Sequence, residues 1–283
     1  GSIINELDSC IKLNNTKSLF VFGDVTSTLS GALVAKNNSV DCFHVEAGLR
    51  SNNLNMPEER NRIMVDSICD KLFTPSNDAV ENLLKENISM EKIFNVGNIM
   101  IDTLIDNLDK ITSNQNTISS EFSINREYFV LTLHRPANLV DEKLTLIFDA
   151  LSEFTDKYDI IIPAHPRLKT FIKENNFDTS KFKVIDPQPY IKFLTLVNNS
   201  TLCLTDSGGL QEETTYLNKK CLTLRDETER PITVEMGTNK VIGVSKNIIN
   251  EINSSLNTKI SESKKIELWD GKTSQRIYEE IYD

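Results

Sequence analysis

The stretch 201-TLCLTDSGGLQEETTYLNKK-220 decides how the chain is read. Its apolar run Leu202-Cys203-Leu204 is of strand type. The run stops at Asp206-Ser207-Gly208-Gly209, and a helical pattern follows. A strand, a small turn and a helix start make a socket for an anion. The first N–H groups of a helix lack internal partners and carry the positive end of its dipole. Gly208 and Gly209 are expected to take backbone angles that aim N–H groups at a ligand, and Ser207 adds a hydroxyl. The same residues read equally well as an ordinary N-cap, with Gln211 or Glu212 completing a capping box. The paired glycines are what a simple cap does not need. Glu213 suits the hydroxyls of a sugar, although an acid in a first helical turn is also routine.

The pattern repeats outward along the chain. Strand-like runs occur at 18–24, 40–46, 128–134, 158–165, 183–186, 200–206 and 220–226, with amphipathic stretches at 58–70, 141–157 and 246–258. Apolar runs separated by helices predict parallel sheets covered on both faces, an α/β fold. The run 18-SLFVF-22 reads as an interior strand. The polar segment 106–127, rich in Ser and Asn, reads as an interdomain connection. Two domains are expected, 1–108 and 109–283, with the last helix packing back on the first.

The 283 residues carry a net charge of −10, and the pI is near 5.0. That argues against a nucleic-acid or membrane-surface binder, which would need a basic face. Any anion is therefore gripped locally. No apolar run is long enough to span a bilayer, and no signal-peptide pattern follows Gly1-Ser2. Five cysteines (Cys10, Cys42, Cys69, Cys203, Cys221) form no CxxC pair. They read as small buried hydrophobes in a reducing compartment, hence the cytoplasm.

The chemically interesting side chains fall at strand ends, where open α/β sheets bind ligands. They are Asp24, His44, Glu46, His134, His165 and Asp206, and they include all three histidines. Asp24, in 23-GDVTST-28, is either an N-cap or a carboxylate presented to the crevice. Neither a GxGxxG fingerprint nor a Walker loop is present. Pro57 with Glu58 and Glu59 is good helix-start chemistry on its own. Carboxylates gathered at one crevice would repel, and at least one pKa should rise, as acid–base work near neutral pH requires. The histidines lack metal-ligand spacing, so no metal is expected. Arg135, Arg225 and Arg230 suit phosphate contact.

The motifs GDxTxT, HVEAGLRS, MPEERNR, LTLHR, HP, DSGGLQEE and LRDETERPITVEMGTNKVIG occur in that order, followed by 270-DGKTSQRI-277. From about Leu19 to the end they closely resemble the non-hydrolysing UDP-N-acetylglucosamine 2-epimerases. The resemblance implies two Rossmann-like domains of GT-B type with the ligand between them, a homodimer, no cofactor, and reversible interconversion of UDP-GlcNAc and UDP-ManNAc. It also assigns residues. Asp24, Glu46 and Glu58 are the acidic catalytic positions, with His134 as a catalytic or phosphate-contacting histidine. Ser207, Gly208 and Gly209 hold the diphosphate, with Arg135 beside them. Glu213 takes the ribose, Arg230 is a nucleotide contact, Gln188 and Phe193 lie near the uracil, and His165 is a further contact. A hydrolysing epimerase releasing ManNAc and UDP, a GT-B glycosyltransferase and a non-catalytic nucleotide-sugar binder are the alternatives. Two departures stand out. Ala137 in 134-HRPANL-139 replaces a usual Glu, and the strands and GTRPE-like loop that open the family do not precede GDxTxT. The first domain is therefore expected to be incomplete.

Overall fold

The computed structural model describes residues 1–260 and 265–282, and the chain divides into two compact units. One comprises Gly1–Thr103, Glu229–Pro231 and Ile266–Asp283; the other comprises Leu104–Thr228 and Ile232–Lys265.

The first unit is built on four parallel strands, β1 (Ser18–Phe22), β2 (Asp41–Val45), β3 (Lys71–Thr74) and β4 (Ile93–Asn95), side by side in that order. Its helices are α1 (Ser2–Asn14), α2 (Thr26–Asn37), α3 (Pro57–Ile68), α4 (Asn77–Lys85) and the first part of α5 (Ile99–Asp106), with the C-terminal helix Thr273–Tyr282. Successive strand residues face opposite ways. Cys42 and Leu72 join Ile11, Ala32 and Val65 in one core, whereas Phe43 and Phe73 join Val96 and Ile277 in another. Two covered faces explain the nearly continuous apolar strands.

The run expected to be an interior strand is β1, and among the described strands it is an edge that pairs with β2 alone, with Phe22 55% exposed. Residues expected to form a connection instead make helices α6 (Leu108–Ser113) and α7 (Gln115–Glu121), whose Ile111 and Ile118 are buried in the second unit. Isoleucines at helical spacing outweighed the Ser/Asn-rich composition.

The second unit holds β5 (Tyr128–Thr132), β6 (Asp159–Pro163), β7 (Lys183–Ile185), β8 (Leu202–Thr205), β9 (Cys221–Thr223) and β10 (Asn239–Val241) in one parallel sheet, ordered β10-β9-β8-β5-β6-β7. Between them run α8 (Asp141–Ser152), α9 (Pro166–Glu174), α10 (Tyr190–Asn199), α11 (Gly208–Tyr216) and α12 (Ile232–Glu235), with α13 (Ile248–Asn257) after the last strand. Phe129, Leu131 and Leu204 pack on α8 and α13, while Tyr128, Val130 and Cys203 pack on α6, α7 and α10. This is the doubly wound order, and it reverses between β5 and β8. Chains leaving those two strands diverge to opposite faces and open a crevice at their carboxyl ends.

All five cysteines are free, and all but Cys10 are buried. Among the described residues no helix is long and apolar enough to cross a membrane.

Candidate active site

Parallel pairing of β5 with β8 sets Thr132 opposite Thr205, with their hydroxyls 2.7 Å apart. The residues just beyond therefore meet. Asp206, fully buried, accepts from the N–H groups of His134 and Arg135 at 3.1 and 3.0 Å and from Asn138 Nδ2 at 3.2 Å. His134 Nδ1 is 2.8 Å from Asp206 Oδ1. Burial pushes the Asp206 carboxyl up, but the His134 ring and these N–H groups outweigh it and hold the group below its ordinary range. Asp206 thus clamps the 134-HRPAN-138 turn. Arg135 Nε also reaches the Asp206 carbonyl at 3.1 Å.

Ser207 caps α11, its hydroxyl accepting from the Leu210 N–H at 3.4 Å. No capping box forms, because Leu210 rather than Gln211 or Glu212 occupies the third helical position. Gly208 and Gly209 open the helix, and neither has a positive φ. The expected use of their backbone freedom is therefore corrected: they leave the helix start bare of side chains.

A cavity of about 230 Å³ lies at this crevice, lined by His134, His165, Gln188, Phe193, Ser207 and Glu213 among others. Residues from four loops and two helices that are far apart in sequence converge there. His165 caps α9, accepting the Arg167 N–H at 3.2 Å. Gln188 donates to the Asp186 carbonyl at 2.8 Å. Glu213, only 5% exposed, is pushed up to about 7 by burial, which the nearby Tyr190 hydroxyl offsets only in part.

In the first unit, β1–β2 pairing sets Phe22 opposite Val45, so Asp24 and Glu46 follow on neighbouring strand ends. Asp24 is not the cap of α2; Val25 is. The Asp24 carboxylate instead pairs with Arg62. Glu46 lies 2.5 Å from Arg230, which also holds Glu229 at 2.6 Å. Arg230, expected at the nucleotide, thus engages two acids of the first unit. Arg62, 2% exposed, further binds Glu59 at 3.0 Å and lies 3.7 Å from Glu229. The acids expected to repel one another are interleaved with two buried arginines. Glu58, at the start of α3, is half-buried and has no ion pair among the described residues. Glu59 beside it is engaged by the loop, accepting from Ser51 N–H at 2.8 Å and Asn52 N–H at 2.9 Å.

Sequence reasoning missed Arg62, Glu229 and the clamp role of Asp206. Arg62 had a signal, since it stands three residues after Glu59 at ion-pair spacing on a helix. The other two depend on contacts distant in sequence.

A family described as UDP-N-acetylglucosamine 2-epimerase matches residues 1–282. A Methanocaldococcus jannaschii protein named UDP-N-acetylglucosamine 2-epimerase is 42% identical over 98% of this chain and 78% of its own length. A Pseudomonas aeruginosa protein named UDP-2,3-diacetamido-2,3-dideoxy-D-glucuronate 2-epimerase is 36% identical over 99% of this chain and 78% of its length. The crystal structure of the M. jannaschii enzyme in complex with UDP-GlcNAc and UDP superposes with a TM-score of 0.90 at 41% identity, covering 99% of this chain and 79% of that one.

Proposed function

Because the chain belongs to the UDP-N-acetylglucosamine 2-epimerase family, we propose that it interconverts UDP-GlcNAc and UDP-ManNAc by eliminating and re-adding UDP. The observation that carries this reading is the cavity at the β5/β8 switch point, which gathers His134, Ser207 and Glu213. In this reading the start of α11 receives the diphosphate, with Gly208 and Gly209 leaving its N–H groups accessible. Glu213 accepts from ribose hydroxyls, Gln188 and Phe193 meet the base, and His134, His165 and Arg135 line the phosphate side.

The C2 proton of the sugar has no neighbouring carbonyl, so direct deprotonation is hard. Cleavage of the anomeric C1–O bond sends its electron pair to UDP while a base takes the C2 proton, leaving a C1=C2 double bond in 2-acetamidoglucal. Return of UDP to C1 and of a proton to the other face of C2 inverts that centre. Such chemistry needs stabilised leaving-group charge and carboxylates as acid and base. The helix start and cations of the second unit suit the first need. Asp24, Glu46 and Glu58 suit the second, with Arg62 and Arg230 holding Asp24 and Glu46 in place. No redox step or cofactor enters. Five free cysteines support a reducing compartment such as the cytoplasm. A homodimer belongs to the same reading, and light scattering that returned a monomer mass would remove it.

The test is product analysis after incubation with UDP-GlcNAc in deuterated water. UDP-ManNAc carrying deuterium at C2 is expected. Free ManNAc would mark a hydrolysing enzyme, retention of the original proton would exclude elimination, and no product would leave a binding protein. UDP-2,3-diacetamido-2,3-dideoxy-D-glucuronate, run in parallel, tests which sugar is preferred.

A further inference from the structure

A buried charged cluster in the first unit supplies no reacting group to the chemistry just described. His44, in β2, is wholly buried. Its Nε2 lies 2.9 Å from the Gly23 carbonyl oxygen, which can only accept. Its Nδ1 lies 2.6 Å from Asp66 Oδ1. The other Asp66 oxygen accepts the Gly48 N–H at 3.2 Å and sits 2.7 Å from the Arg50 guanidinium, so Asp66 is ionised and Nδ1 donates as well. An ordinary core histidine is neutral, with one nitrogen donating and one accepting. This ring faces two acceptors, the pattern an imidazolium satisfies. Burial lowers its pKa, but Asp66, the Gly23 carbonyl and Glu46 outweigh burial and raise it. Arg50 is in turn fixed by Glu86 at 2.7 and 2.8 Å and by the Leu49 carbonyl at 2.8 Å.

Both ends of the cluster reach turns that carry reacting groups. Gly23 precedes Asp24, and Gly48 lies two residues beyond Glu46. Gly23, Glu46 and Gly48 all have left-handed backbones, at φ +65°, +73° and +80°. For a glutamate this conformation is unfavourable and persists only where surroundings hold it. The Phe73 carbonyl accepts from the Glu46 and Ala47 N–H groups at 3.1 and 3.0 Å and supplies part of that hold. We propose that the buried His44–Asp66 pair is the positioning device for both carboxylates: His44 ties the turn before Asp24, and Asp66 ties the turn after Glu46. The role rests on reading Asp24 and Glu46 as reacting groups.

The experiment has two arms. In the first, the full chain labelled with ¹⁵N-histidine is examined by NMR at about pH 8, where an ordinary imidazole is neutral. His44 should carry protons on both nitrogens, and His44→Gln should remove that signal. In the second, His44→Gln and Asp66→Asn are assayed with UDP-GlcNAc. A loss of about a hundredfold in kcat is expected from displaced reacting groups, with UDP affinity unchanged. A singly protonated His44, or folded variants with wild-type kcat, would overturn the proposal while leaving the epimerase reading standing. A wild-type chain that turns over no nucleotide sugar sinks that reading and the positioning role with it, whatever the NMR shows. Should both variants fail to fold, Glu86→Gln loosens Arg50 from the solvent-facing end. It must then lower kcat without weakening UDP, and an unchanged kcat counts against the proposal.

Discussion

Replacing Glu213 with Gln should make the protein more stable and a worse UDP binder at the same time. Glu213 is 5% exposed, and burial raises its carboxyl from 4.5 to about 7. Between those values the folded chain keeps a proton that the unfolded chain has lost. Stability from this group is therefore full below about pH 4.5 and is lost as pH rises through about 7. The gap between 4.5 and about 7, at about 1.36 kcal/mol per pH unit, amounts to about 3 kcal/mol. The amide carries no charge, so Glu213→Gln should melt like wild type near pH 5 and several degrees higher near pH 8. Binding should move the other way. If the carboxylate accepts ribose hydroxyls, wild-type affinity for UDP rises as pH climbs through about 7. The variant should lack that rise and bind tenfold or more weakly at about pH 8, the worth of a hydrogen bond to a charged group. Scanning fluorimetry and titration calorimetry across pH measure both. Parallel melting profiles for the two proteins would refute the claim that burial holds this proton.

Amide replacement of Asp24, Glu46 or Glu58 should cut turnover by about a hundred- to ten-thousandfold with UDP affinity nearly unchanged, as initial rates and calorimetry will show. Arg62→Ala leaves Glu59 buried without its cation and should destabilise by about 3–5 kcal/mol, read from urea unfolding. Gly209→Asp places a carboxylate at the bare start of α11 and should weaken UDP by at least about tenfold; calorimetry showing wild-type affinity would remove this helix start from the site.

Much of this molecule is local in origin. Runs such as Tyr128–Thr132 and Leu202–Thr205 are apolar throughout because helices cover both faces of a parallel sheet, and that pattern is visible without coordinates. His134 and Ser207 follow β5 and β8, so their place at the carboxyl edge was visible in the same pattern. The short strands β3, β4 and β10 were missed, although β7 and β9, no longer than they are, were read at 183–186 and 220–226. Tertiary structure alone decided the rest. The order β10-β9-β8-β5-β6-β7 puts Thr132 beside Thr205, and only that pairing lets Asp206 grip a turn some seventy residues away. Arg230 pairs with Glu46, 184 positions earlier, a contact its motif does not reveal. The raised pKa of Glu213 follows from burial, and that of His44 from the acceptors that face it against burial. Neither is a property of a residue or its neighbours in sequence. Strand and helix follow from nearest-neighbour chemistry, whereas electrostatic state depends on what the fold brings into contact and what it removes from water.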